Sequence, residues 1–131
     1  MENSIYDEFV ARFVARVESV VKVGAPLDAT TTMGTVISFA HRDKIERMVA
    51  VAVEQGGQVV LGGKRPTGAW AAAGAFLEPT VIVGLKQSCE AVQEEIFGPV
   101  VTIQRFHSDA EALALANGVR CVYICVSVSV V

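Results

Sequence analysis

Apolar side chains at Ile5, Phe9, Phe13, Val17, Val20 and Val21 recur every three or four positions, with Asp7, Arg12, Arg16 and Glu18 mostly between them. That is the period of a helix with one buried face. Gly24 and Pro26 are expected to end it, glycine by taking the left-handed cap and proline by being unable to extend the turn. From Ala25 to Ser38 no period survives, and the threonine run around Gly34 reads as a long loop of the kind that often carries function. Periodicity resumes near His41, where Ile45, Met48, Val49, Ala52 and Val53 share one face up to the glycine pair Gly56 and Gly57. This predicts a second helix whose apolar stripe faces a sheet.

Beyond the glycine pair the period shortens. Gln58 to Leu61 reads as a strand closed by Gly62 and Gly63, Lys64 to Gly74 as a turn-rich excursion through Pro66 and Gly68, and Thr80 to Val83 as a second strand. Gly98 to Phe106 is β-branched and partly alternating, and Ser108-Asp109-Ala110-Glu111 is a capping box opening a third helix that runs to about Asn117. Val119 to Val131 is dense in valine with interleaved Ser127 and Ser129, a strand pattern and an aggregation hazard if left unpaired. Helices alternating with strands give an α/β fold with an open sheet. No internal repeat or linker divides the chain.

Composition narrows the functional classes. With 52% hydrophobic and 19% charged residues the chain is too apolar for intrinsic disorder. A net charge of -3 without a basic stripe argues against nucleic acid as a partner. The apolar run from Cys121 to Val131 is far shorter than the roughly 20 residues of a bilayer-crossing helix, so no membrane span is expected. The polar start Met1-Glu2-Asn3-Ser4 is unlike a secretory leader. Cys89, Cys121 and Cys125 are odd in number and lack metal-ligand spacing toward His41 and His107. We therefore expect a reducing, cytoplasmic setting and no metal. Cys89 stands beside Glu90, whose charge disfavours a thiolate, and reads as an unreactive loop thiol.

The chemistry-bearing stretch is Glu94-Glu95-Ile96-Phe97-Gly98-Pro99-Val100, where two carboxylates and an aromatic ring precede a Gly-Pro bend into a strand. An ionised glutamate is acceptor-only with two oxygens, suited to paired hydroxyls such as those of a ribose, although a solvated pair at a helix end has the same composition. This stretch resembles the signature that follows the active-site cysteine in the aldehyde dehydrogenase superfamily. The same order of features extends over nearly everything up to Asn117: Ile5-Tyr6-Asp7-Glu8-Phe9, Val23-Gly24-Ala25-Pro26, Thr32-Met33-Gly34, the helix from His41, Gly62-Gly63, Gly74-Ala75-Phe76 and Pro79-Thr80-Val81.

The resemblance implies part of a catalytic domain over residues 1–117, followed by a divergent apolar tail over 118–131. It implies that Glu95 accepts hydrogen bonds from the nicotinamide ribose, that Phe97 packs near the nicotinamide ring, that Glu94 is structural, and that His41 and Lys44 at the start of the second helix lie near the cofactor. The free N–H groups of a helix start favour anions independently. Enzymes of this family oxidise an aldehyde to a carboxylic acid through a cysteine thiohemiacetal, reduce NAD or NADP, and hydrolyse the thioester with a glutamate base. The nucleophile's Gly-Gln-x-Cys context does not occur in these residues, and none of the three cysteines matches it, so no catalytic residue is assigned. No Gly-x-Gly-x-x-Gly follows a strand, and Gly57 to Lys64 has the wrong spacing for a phosphate loop, with Arg65 in place of a Ser or Thr. Two departures stand out: Thr35 follows Gly34 where the family commonly has proline, and Gly118-Val119-Arg120-Cys121 replaces an aromatic-Gly-Leu-Ala run. The reading is a family fragment, inactive alone and binding NAD or NADP little or not at all. The alternative is a noncatalytic module that associates with a full-length relative or with itself.

Overall fold

The computed structural model describes residues 1–120. Helices α1 (Tyr6–Val20) and α2 (Phe39–Glu54) lead to strand β1 (Gln58–Leu61), a short 3-10 helix (Ala69–Ala73) and β2 (Thr80–Val83). Helix α3 (Glu90–Gln93), β3 (Val100–Ile103) and α4 (Asp109–Asn117) complete the order. β2 is central in an open sheet of order β1-β2-β3, antiparallel to β1 and parallel to β3. Side chains alternate across the strands. Val81 and Ile103 therefore pack beneath Tyr6, Phe9 and Phe13 of α1, while Ile82 meets Ile45, Val49 and Ala52 of α2 on the opposite face. The result is an α/β arrangement with helices on both sides of the sheet, as expected.

Both sequence-defined strands, 58–61 and 80–83, have the anticipated bounds. Their connection depends on Gly62 and Gly63, at φ +69° and +73°, where glycine alone pays no steric penalty. Thr80 Oγ1 accepts from the Gly63 amide at 2.9 Å and donates to the Glu78 carbonyl at 3.0 Å, tying the turn to β2.

The end of α1 departs from expectation. Gly24 is not left-handed, and the helix closes at Val21, which is extended. The stop comes from a distant side chain: Thr32 Oγ1 donates to the Val20 carbonyl at 3.0 Å and accepts from the Lys22 amide at 2.8 Å. Gly24 is needed for close approach, because a Cβ there would lie 2.5 Å from Thr31 Oγ1. α2 begins earlier than its apolar period suggests, with Ser38 accepting from the His41 amide at 3.1 Å. It ends as foreseen at Gly56, φ +95°. Val53 is off the buried stripe, 49% exposed.

Cys89 lies in the bend before α3, and it is buried. It caps α3, a helix too short to have announced itself by period, and is 5% exposed within the α2-side core. The capping box of α4 is half as drawn: Ser108 Oγ accepts from the Glu111 amide at 3.2 Å, but Glu111 Oε2 accepts from the His107 amide, one residue before the cap. At the far end of α4, Gln87 Nε2 donates to the Leu115 carbonyl at 2.8 Å and Gln93 Nε2 to the Gly118 carbonyl at 2.9 Å. Most of the valine-rich strand expected over Val119 to Val131 lies outside the described residues, as do Cys121 and Cys125. No described helix is long and apolar enough to cross a membrane.

Candidate functional site

In the run 94–98 between α3 and β3, Ile96 is the anchored side chain and its neighbours are exposed. Glu94 caps α3 in extended conformation, and in such backbone successive side chains point to opposite sides. Ile96 packs against the α2-side core, whereas Glu95 and Phe97 are both exposed, the Phe97 residue by 69%. A tight Gly98 amide to Ile96 carbonyl bond of 2.7 Å and a Val100 amide to Gly98 carbonyl bond of 2.8 Å bend the chain into β3, where the Pro99 carbonyl accepts from Thr80 of β2. Gly98 lies against α2 so closely that a Cβ would sit 2.5 Å from Ile45 Cδ1.

His41 completes the same contact. Its Nε2 is hydrogen-bonded to the Phe97 carbonyl. A carbonyl only accepts, so Nε2 carries a proton and donates it to this bond. His41 and Ile45, four residues apart on α2, thus hold Phe97 and Gly98 from one helix face. Ser38 takes the His41 amide, and the Arg42 amide reaches the Ser38 carbonyl at 3.0 Å. The Phe39 and Ala40 amides remain without intrahelical partners at the start of α2.

Lys44 follows His41 by three positions, which puts it one turn further along the helix. It is exposed, and among the described residues it makes no ion pair with Glu95 or Glu94. Glu94 is the carboxylate with a partner, Arg120 Nη1 at 3.4 Å. Glu95 makes no salt bridge among the described residues. The exposed carboxylate, the exposed ring and the helix start form an open surface, while the larger cavities adjoin β3 and α4 and the carboxyl ends of β2 and β3.

The family model described as the aldehyde dehydrogenase family matches residues 1–123. The chain belongs to the aldehyde dehydrogenase family. It is 39% identical over 117 residues to a betaine aldehyde dehydrogenase of Bacillus subtilis, covering 89% of this chain and 24% of that protein. It is 43% identical over 118 residues to a 2-hydroxymuconic semialdehyde dehydrogenase of a Pseudomonas species, with the same two coverages. A crystal structure of betaine aldehyde dehydrogenase from Staphylococcus aureus in complex with NAD+ superposes with a TM-score of 0.85 at 46% identity, over 90% of this chain and 23% of that one. The aldehyde dehydrogenase chain thus spans about a quarter of the length of these relatives.

Sequence reading singled out the exposed residues of this aldehyde dehydrogenase surface and missed what positions them. Ile45, Ile96 and Gly98 form the support, and Ser38 fixes where α2 begins. Ser38 carried a usable signal, since a serine before a run that turns helical is a favoured cap. The pairing of His41 with Phe97 carried none, because it joins residues 56 positions apart.

Proposed function

We propose that this chain supplies the nicotinamide-ribose side of the cofactor cleft in an NAD- or NADP-dependent oxidation of an aldehyde to a carboxylic acid. The observation that carries the reading is the joint exposure of Glu95 and Phe97 on either side of Ile96, which packs against the α2-side core. Glu95 offers two acceptor oxygens to a vicinal diol, and Phe97 offers an apolar face to a planar ring. The start of α2 adds the free amides of Phe39 and Ala40, and Lys44 one turn on adds positive charge, suited to the anionic part of a dinucleotide. The nicotinamide group, when bound, supplies the two-electron oxidant. What these residues contribute is binding and orientation.

The 131 residues hold no Gly-Gln-x-Cys nucleophile and no glycine-rich dinucleotide turn. The isolated chain is therefore expected to show no NAD-dependent aldehyde oxidation and very weak NAD binding. A micromolar dissociation constant by calorimetry, or turnover lost in Glu95→Gln, would overturn this. The positive arm grafts residues 1–117 into the matching quarter of the Staphylococcus aureus relative. There Glu95→Gln is expected to raise KM for NAD about tenfold or more, because a hydrogen bond to a charged group is worth roughly 1.5–3 kcal/mol. An unchanged KM refutes the assignment. A second reading, a noncatalytic module that associates with a relative or itself, draws support from the exposed Ile37 and Phe39 at the start of α2 and Leu27 in the loop before it.

A further inference from the structure

The excursion between β1 and β2 leaves the sheet through Gly62 and Gly63, both at positive φ, and returns through Gly74. At its base the Glu78 amide donates to the Lys64 carbonyl at 3.0 Å, and Ala75, Phe76 and Leu77 are buried. From Lys64 to Gly74, by contrast, no residue is buried. Two pins hold this stretch down. Trp70 rests edge-on against Phe76, ring centroids 5.0 Å apart, and is still 45% exposed. Arg65 Nε and Nη2 donate to the two carboxylate oxygens of Glu46 at 2.5 Å, and Nη2 also donates to Asp43 Oδ1 at 3.2 Å. Among the described residues, these and the Lys64 carbonyl are its hydrogen bonds to the rest of the fold.

We propose that residues 64–74 form a strap latched to α2 by Arg65, which swings open between its glycine ends while the rest of the described fold stays intact, and which acid releases by protonating Glu46. Burial supports the separation, because an opening that uncovers little apolar surface costs far less than global unfolding. The charges support the trigger. Glu46 faces Arg65 from the strap and Arg42 and Asp43 from its own helix, and the Arg65 bonds hold its carboxyl below the ordinary carboxylate range. The latch is therefore fully engaged above the ordinary glutamate value and lost as pH falls through the lowered one. Asp43 is a weak substitute, since the oxygen it offers Arg65 also accepts from the buried Arg42, at 3.0 Å. Opening draws Pro66 off a crevice of about 290 Å³ that Val17, Val21, Leu61 and Pro79 also line. Asp43 and Glu46 do not share a face of α2 with His41 and Ile45, so the contacts beneath Phe97 and Gly98 stay in place.

Trp70 is the single tryptophan of the 131-residue chain, so acrylamide quenching of its fluorescence reads the strap while far-ultraviolet circular dichroism reads the helices. In the unaltered chain the quenching constant is expected to rise roughly twofold in acid, as an indole 45% exposed becomes fully exposed, at a pH where the dichroism is still native. Arg65→Met and Glu46→Gln should each show the raised value at neutral pH, again with native dichroism. An unaltered chain whose quenching does not rise in acid, or rises only as the dichroism is lost, overturns the proposal, because the strap then has no opening of its own. A neutral-pH quenching constant in either variant equal to that of the unaltered chain also overturns it, since the Arg65 pairs are then no latch. Dichroism lost at neutral pH in both variants does the same, because release of the strap would then take the fold with it.

Discussion

Replacing Gly98 by alanine places a methyl group 2.5 Å from Ile45 Cδ1 and 3.1 Å from Ile45 Cγ1. Ile45 cannot swing clear, because it is 2% exposed and packed among Val49, Ala52, Leu77 and Ile82. Overpacking of this kind costs about 1–3 kcal/mol, against which the smaller unfolded-state entropy of alanine returns about 0.4–1 kcal/mol. The collision wins, and a net loss of about 1–2 kcal/mol is expected for Gly98→Ala. Ile45→Val deletes the colliding Cδ1 at its own cost of about 0.5–1.5 kcal/mol. In the double variant the freed space accepts the new methyl, so the two losses should fall short of their sum by about 1 kcal/mol, well beyond the scatter of independent sites. Urea titrations of the four chains, followed by circular dichroism, give the cycle directly. Strict additivity, or a Gly98→Ala chain as stable as the parent, would show that Gly98 is not wedged against α2.

Two further outcomes follow from the polar and sulfur groups. Arg65 forks onto both carboxylate oxygens of Glu46 at 2.5 Å, and this bonding holds the Glu46 carboxyl below the ordinary carboxylate range. A depressed pKa stabilises the fold above the unfolded value of about 4.3 and the gain is lost as pH falls through the folded value, so Arg65→Met should flatten the acid limb of a urea-midpoint profile. An acid limb identical in parent and variant would remove the pairing from the stability account. Cys89, buried against the Gln55 carbonyl, should alkylate with iodoacetamide on the order of 100-fold more slowly in the folded chain than in urea, as read by peptide mapping. Equal rates would contradict its burial.

What could be read from the chain was what short-range pattern dictates. β1 and β2 were legible because β-branched runs are bounded by glycine or proline, and Gly56 was legible as a helix stop because its left-handed cap is local. The stop of α1 was not, since it is made by Thr32 across a loop whose closure no period announces. α3, with four residues, is shorter than any window in which a period can be detected. The mixed pairing of the sheet follows from how each connection returns the chain, and strand sequences do not encode it. At the candidate site the exposed pair Glu95 and Phe97 was legible through family resemblance, while their supports Ile45 and Gly98 meet only once α2 packs on the sheet.

The carboxyl end of α4 is held by two neutral carboxamides where helices more often use lysine or arginine. Its closure is therefore indifferent to ionic strength and to acid or base within the range where folded proteins survive. Its vulnerability is chemical ageing: slow hydrolysis of the Gln93 amide would exchange a donor for an anion aimed at the Gly118 and Gln87 carbonyls. Loss of ammonia from one side chain would convert two attractions into repulsions at this corner of the fold.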